Sequence, residues 1–185
     1  LISFSAGALF GDAFIHLIPE AIKEIGLSLK LSLYIILGII LFFILEKFVH
    51  WHHVHFPSKK HAHPVVFMNL IGDGLHNFIL HEIPQEIGDF GILLHSGLKK
   101  SKALLFNFLI ALFSLLGAIL AILIGSNVKE FAIFLLPLTA GGFIYIAGSD
   151  LIPELHKETK AIKSFMQLVA FILGILVMIA LLLLD

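Results

Sequence analysis

The sequence contains no cysteine and no arginine, and both absences narrow the classes of protein that it can encode. Without cysteine there are no disulfides and no thiolate ligands, so any bound metal must be held by nitrogen and oxygen atoms. All twelve basic residues are lysines and the formal net charge is −1. A nucleic-acid partner is therefore not expected, because the basic stripe that such a partner requires is absent.

Hydrophobic residues make up 59% of the 185 residues, and the mean hydropathy is +1.04. This composition predicts an all-α, polytopic membrane helix bundle. Runs long enough to span a bilayer lie at 1–22, 31–49, 103–125, 131–155 and 165–184. Residues 64–97 are too many for one comfortable crossing and few for two. Because the chain begins at Leu1 within an apolar run, we expect a truncated N-terminus.

The lysines favour two crossings for residues 64–97. With two crossings nine lysines share one side and three lie opposite, whereas one crossing divides them eight to four. We therefore expect about seven visible spans in one transmembrane domain over residues 1–185. The lysine-rich side, which includes a histidine-rich loop at 50–63, is then cytoplasmic.

That loop holds six of the eleven histidines. Dense histidine in a flexible segment can bind or sense metal weakly, and it can equally be an ordinary solvated loop. The two interpretations stay open. Glycines elsewhere predict close helix contacts rather than phosphate-binding loops; they are Gly117, Gly125, Gly141, Gly142 and Gly174.

Three apolar segments carry ionisable residues next to a proline, which is costly unless these groups face one another or water. Residues three or four apart share a helix face, so the polar residues form stripes. The stripes are Asp12, His16 and Glu20; Asp73, His76 and Asn77; His81 with Gln85, and Glu82 with Glu86, continued by Asp89; and Asp150 with Glu154.

Imidazole, carboxylate and amide groups without thiolate suit a divalent first-row metal, and zinc is the natural occupant. Each residue alone could instead hydrogen-bond to a neighbouring helix. Four stripes together favour function, because ionisable groups inside a membrane are costly. A zinc protease is disfavoured because Gln85 replaces the second histidine of the HExxH motif and Pro84 disturbs its helix.

Two adjacent segments resemble the signature helices of the ZIP (zinc/iron-regulated-transporter-like) metal permeases. The match is similar to the branch with a His-Glu-x-Pro-x-Glu-x-Gly-Asp motif, and it rests on residues 69–78 and 81–90. Residues 11–21 resemble the second helix of that family, and residues 140–155 resemble the seventh. The resemblance covers essentially the whole chain.

The resemblance implies eight helices, of which the first is missing here, with the metal-site helices at the centre. It also implies a transport unit that slides against a scaffold containing the second and seventh helices. Zinc would be the substrate, with iron, manganese or cadmium as further candidates. By the same resemblance, His76 and Gln85 flank one metal position, Asn77 and Glu82 flank the other, and His81 and Glu86 lie at the edges. The groups expected along the transport path are Asp12, His16, Glu20, Asp73, Asp89, Asp150 and Glu154.

The sequence departs from the family pattern at Ile79-Leu80, where a turn and a metal-ligand aspartate are expected. We expect a chain gap at this junction, since two crossings need a loop between them. Gln85 supplies a neutral amide where relatives place histidine or glutamate. Ser114 occupies a position that some members fill with glutamate.

The sequence therefore predicts a multi-pass protein, expected in the cell membrane, that moves divalent metal toward the cytoplasm and is not an enzyme. An intramembrane zinc hydrolase or a receptor-like bundle is the alternative. The lipid bilayer and the metal ion are the expected partners, and homodimer formation is left open.

Overall fold

The computed structural model describes residues 1–55, 86, 90–91, 93–94, 97–109, 112 and 128–183. Every regular element in these residues is helical, which confirms the all-α prediction. Four helices among them are long and apolar enough to cross a membrane, and we call them the first to fourth described spans. They are Ile2–Ile25, Leu29–Phe48, Ile133–Leu155 and Ala161–Leu182. The other expected crossings lie at least partly outside the described residues.

The first described span comprises three helical segments, α1 (Ile2–Gly11), a π-helix (Asp12–Leu17) and α2 (Ile18–Ile25). Pro19 lies in the first turn of α2. A proline has no N–H to donate, and in a regular α-helix its ring would clash with the carbonyl four residues earlier. The wider π-helix accommodates the proline, and the Ile18 N–H bonds to the Ala13 carbonyl five residues earlier. The helix therefore continues through the proline and ends at Gly26, where φ is 70°.

The second described span is part of α3 (Leu29–His55). Ser28 caps its first turn, with its hydroxyl oxygen accepting a hydrogen bond from the Leu31 N–H (3.3 Å). The histidine-rich loop was expected to begin at residue 50, but the helix continues to His55. The helix can continue to His55 because no glycine or proline lies between residue 50 and Pro57.

The third described span has the same order of helical segments as the first. It comprises α4 (Val128–Tyr145) from Ile133 onward, a second π-helix (Ile146–Leu151) and α5 (Ile152–Leu155), with Pro153 in the first turn of α5. The Ile152 N–H again bonds five residues back, to Ala147. A turn leads to the fourth described span, α6 (Ala161–Leu182). The sequence Leu-Ile-Pro-Glu, which occurs at 17–20 and at 151–154, thus has the same local structure in both spans.

The first and fourth described spans cross at two glycines whose lack of a side chain lets the backbones touch. A Cβ atom on Gly7 would lie 2.0 Å from the Phe171 carbonyl oxygen, and one on Gly174 would lie 2.3 Å from that of Phe4. Since Gly11, further along the first span, meets the later residues of α6, the two helices run parallel.

The second and third described spans cross in the same way. A Cβ atom on Gly38 would lie 2.1 Å from the Leu138 carbonyl oxygen, and one on Gly141 would lie 2.1 Å from that of Ile35. Gly141 lies 12 residues before Pro153, and Gly7 lies 12 residues before Pro19. The two crossings therefore occupy equivalent positions relative to the proline of each span. The close contacts predicted for Gly141, Gly142 and Gly174 are confirmed, while Gly117 and Gly125 lie outside the described residues.

A helical hairpin packs beside these spans. Residues 86, 90, 91, 93 and 94 are helical, and the chain turns at Gly97 (φ 87°) into a helix at 100–109. The Gly97 N–H bonds to the Leu94 carbonyl (3.1 Å), and the Leu98 N–H bonds to that of Leu93 (3.3 Å). Leu93 and Ala103 join the buried core with Leu9, Phe143 and Ile146, so the hairpin shares a core with the described spans.

Candidate functional site

A buried acid and histidine lie within the first π-helix. Asp12 is 2% exposed and His16 is 9% exposed, and the Asp12 Oδ1 lies 3.3 Å from the His16 Nδ1. Burial of such a pair in a membrane span is costly and usually marks function. Glu20, the third member of the predicted stripe, is exposed, because the π-helix changes the rotation per residue between His16 and Glu20.

A second polar cluster joins α3 to the third described span. The Tyr145 hydroxyl donates a hydrogen bond to the Glu46 Oε2 (2.5 Å). The Ser149 hydroxyl donates to the Asp150 Oδ1 (3.3 Å), and Glu46 is close enough to Asp150 to interact with it electrostatically. The Asp150 Oδ2 is buried and has no hydrogen-bond partner among the described residues. Two carboxylates thus lie near each other with one tyrosine donor.

Glu154, predicted to share a stripe with Asp150, forms an ion pair with Lys157 at the end of the span. In the following turn, the Lys160 N–H donates to the Glu158 Oε1 (3.1 Å), and the Lys163 ammonium lies 3.2 Å from the Glu158 Oε2. Both contacts favour the ionised form, so the pKa of Glu158 is lowered. Glu158 is therefore part of the loop structure between the spans.

Of the six predicted metal ligands, Glu86 alone lies among the described residues. Its backbone carbonyl accepts a hydrogen bond from the Asn107 Nδ2 (3.1 Å). Outside the described residues lie His76, Asn77, His81, Glu82, Gln85, Asp73, Asp89, the expected gap at 79/80 and the rest of the histidine-rich loop. Within the described ranges, no three histidine, aspartate or glutamate side chains form a group that could hold a metal ion.

Sequence reasoning missed three polar residues in this arrangement: Glu46, Tyr145 and Asn107. An acid near the end of an apolar run was a usable signal for Glu46, since such residues are rarely placed there without a partner. Asn107 was detectable as one of two polar residues within 103–125. No local pattern pairs Tyr145 with Glu46, because they are 99 residues apart in the chain.

Replacing Tyr145 by phenylalanine is expected to destabilise the protein by about 1.5–3 kcal/mol, because a hydrogen bond to a carboxylate is lost. The measurement is the unfolding free energy in detergent. The chain has one other tyrosine, Tyr34, which packs on Phe134 and whose hydroxyl makes no hydrogen bond within the described residues. Tyr34→Phe is thus the matched control, and equal losses in the two variants would contradict the role assigned to the Tyr145–Glu46 bond.

Comparison with known proteins extends these observations over the whole chain. A family model described as "ZIP Zinc transporter" matches residues 78–182. The zinc transporter ZIP13 of Pongo abelii is 35% identical over 219 residues, which cover 97% of this chain and 65% of that protein. ZIP13 of Mus musculus is 30% identical over 248 residues, covering 98% of this chain and 69% of the mouse protein.

A more distant relative is the zinc transporter SLC39A7 of Homo sapiens, 26% identical over 292 residues, with 97% of this chain and 62% of the human protein covered. The chain spans about two thirds of the length of these curated relatives. No solved structure matches the chain significantly.

Proposed function

Because this chain belongs to the ZIP zinc transporter family, we propose that it carries zinc across a membrane, toward the cytoplasm. The family match over residues 78–182 is the observation that carries the proposal. Membership in a family of transporters confirms the resemblance to the family and the prediction that the chain is not an enzyme. The branch with the His-Glu-x-Pro-x-Glu-x-Gly-Asp motif stays a prediction. Iron, manganese and cadmium are proposed as further substrates, and the cell membrane as the location.

We propose that zinc binds between the two signature helices. His76 and Gln85 would flank one position, Asn77 and Glu82 the other, and His81 and Glu86 would lie at the edges. Nitrogen and oxygen donors of this kind hold first-row divalent metals. Incomplete ligation by neutral amides suits a carrier, which must release its metal, better than a hydrolase, which keeps its zinc.

The described polar groups support a path that reaches both sides of the membrane. The first and second described spans are joined by the short turn after Gly26 and therefore run in opposite directions. The second and third run parallel, because Tyr34 packs on Phe134 near their beginnings and Tyr145 bonds to Glu46 further along both. His16 and Glu20 accordingly lie toward one side of the membrane, Asp150 and Glu154 lie toward the other, and Asp12 lies near the middle of its span. Asp73 and Asp89 complete the proposed path.

The glycine crossings support a fixed role for some helices and a moving role for others. Backbone contact at the two crossings fixes the first described span against the fourth and the second against the third, because such contact leaves no room for side chains to rearrange. The two pairs share one buried core, in which Leu9 and Leu17 lie with Phe42 and Phe143. We propose that these spans form the scaffold, and that the signature helices move against it with the metal.

Uptake by proteoliposomes tests the function. The full chain is expected to give saturable zinc accumulation above that of protein-free vesicles, and cadmium or manganese added in excess should compete with zinc. Incubation of the same protein with lipid or peptide substrates should release no product. Hydrolysis without metal uptake would overturn the proposal in favour of an intramembrane hydrolase.

A further inference from the structure

A cavity of about 330 Å³ lies where the third described span ends and the fourth begins. Its apolar lining comprises Ile152 and Leu155 of α5 and Leu168 and Phe171 of α6. Phe171 is ten residues from the start of α6, so the cavity extends from the membrane surface about 15 Å toward the middle of the bilayer. Leu168 is 54% exposed, and the cavity is therefore accessible from the lipid. Its volume is in the lower range of small-molecule sites.

Gln167 places an amide within this mainly apolar cavity. It is half-buried, and between residues 165 and 184 no other residue has a polar side chain. The amide makes no hydrogen bond within the described part of the chain. Ser164 differs, because its hydroxyl donates to the Lys160 carbonyl (3.2 Å). An amide without a partner is costly inside a membrane, so Gln167 is expected to bond to a polar group of a ligand.

The turn beside the cavity carries one more lysine than it has acids. Residues 154–163 contain three lysines and two glutamates. Both glutamates are paired, as Glu154–Lys157 and Glu158–Lys163. Lys160, at the start of α6 and four residues before Ser164, is exposed, and its ammonium forms no ion pair with any residue that the structure describes. A positive charge is therefore available at the outer end of the cavity.

We propose that this cavity binds one anionic phospholipid of the bilayer. The headgroup phosphate lies beside Lys160, the Gln167 amide donates to an ester carbonyl, and an acyl chain lies against Phe171. The order of these groups along α6 matches that of a phospholipid, because Gln167 is six residues, or about 9 Å, below the start of the helix. The inference does not depend on metal transport.

A lipid fits the cavity better than free phosphate does. Inorganic phosphate would occupy the outer end alone and would leave the apolar lining unused. The preference for an anionic headgroup follows from the charge of Lys160. The lysine-rich side of the membrane, to which this turn belongs, is also the side proposed to be cytoplasmic, and the cytoplasmic leaflet is where anionic phospholipids are abundant.

The experiment is native mass spectrometry of the full chain in detergent, titrated with phosphatidylserine or with phosphatidylcholine. The wild type is expected to bind one phosphatidylserine more tightly than phosphatidylcholine, and excess inorganic phosphate should not displace it. Lys160→Gln should raise the Kd for phosphatidylserine about fivefold, the effect of one lysine at an anionic membrane surface, and should change that for phosphatidylcholine less. Gln167→Leu should raise both Kd values about two- to tenfold, the range of one hydrogen bond.

Two variants are the matched controls. Lys100→Gln removes an exposed lysine of the hairpin turn that does not line the cavity, and Met166→Leu changes an exposed neighbour of Gln167. Both should bind the two lipids as the wild type does. An equal loss of affinity in Lys100→Gln and Lys160→Gln would show a general attraction to the lysine-rich surface and would overturn the proposal.

Wild-type lipid affinity in folded Lys160→Gln and Gln167→Leu would also overturn it, and displacement of the lipid by inorganic phosphate would identify an ion site instead. Folding is checked by thermal unfolding. Because Lys160 is exposed, its substitution is expected to leave the fold intact. If Gln167→Leu does not fold, the ratio of the two lipid affinities in Lys160→Gln decides, and a ratio equal to that of the wild type contradicts the site.

Discussion

Gly141→Ala is expected to prevent accumulation of folded protein. The new Cβ would lie 2.1 Å from the Ile35 carbonyl oxygen, and backbone cannot move aside as the end of a flexible side chain can. The second and third described spans would have to separate at the crossing where they are closest. Overpacking of this kind costs about 1–3 kcal/mol or more, a large share of the stability of a protein domain. The measurement is the yield of monodisperse protein after detergent extraction.

Gly148→Ala is the matched control in the same described span. There, the nearest atom to a new Cβ is the Phe10 Cζ, at 3.9 Å, an ordinary van der Waals contact. Yield should be unchanged or higher, since alanine favours helix more than glycine does. Gly7→Ala should fail as Gly141→Ala does, because its Cβ would lie 2.0 Å from the Phe171 carbonyl oxygen. Normal yield of both crossing variants would show that the helices are not in backbone contact.

Glu82→Ala is expected to reduce zinc uptake to the background of protein-free vesicles. In the proposed site Glu82 is a charged ligand among mostly neutral ones, so its loss removes most of the electrostatic attraction for a dication. Uptake is measured in proteoliposomes after size-exclusion chromatography has shown that the variant is folded. Glu158→Ala is the control, because that carboxylate is engaged by Lys160 and Lys163 in the turn between the third and fourth described spans.

A folded Glu82→Ala variant that transports zinc at the wild-type rate would place the metal site elsewhere. Loss of uptake in both glutamate variants would point to a general effect of removing charge, and the assignment of Glu82 would then have no support. The informative result is thus the difference between the two variants.

The sequence was sufficient to locate the four described spans, because long apolar runs have few alternatives in a protein of this composition. The observed bounds of these spans differ from the predicted bounds by a few residues. Local contacts set the ends of the helices, as at the Ser28 cap and at Gly26. The π-helices were not predicted. A proline inside a span is read from sequence as a break, whereas here a change in hydrogen-bond register ahead of Pro19 and Pro153 keeps the helix continuous.

The candidate site was predictable only where its residues are close in the chain. Asp12 and His16 share a turn, and their pairing follows from helical spacing. The Glu46–Tyr145 and Asn107–Glu86 bonds depend on which helices become neighbours, and apolar packing sets that without leaving a local pattern. Glu20 shows the opposite error, since regular spacing was assumed across a segment that is not a regular α-helix.

The parallel packing of the second and third described spans also constrains the number of membrane crossings between them. Two helices that run in the same direction are separated along the chain by an odd number of crossings. If residues 103–125 cross the membrane once, as their apolar length predicts, an even number of crossings is expected for residues 64–97, most of which lie outside the described residues. The two-crossing interpretation agrees with this expectation. Lys47 and Lys157 then lie on the same side of the membrane, as the lysine distribution predicts.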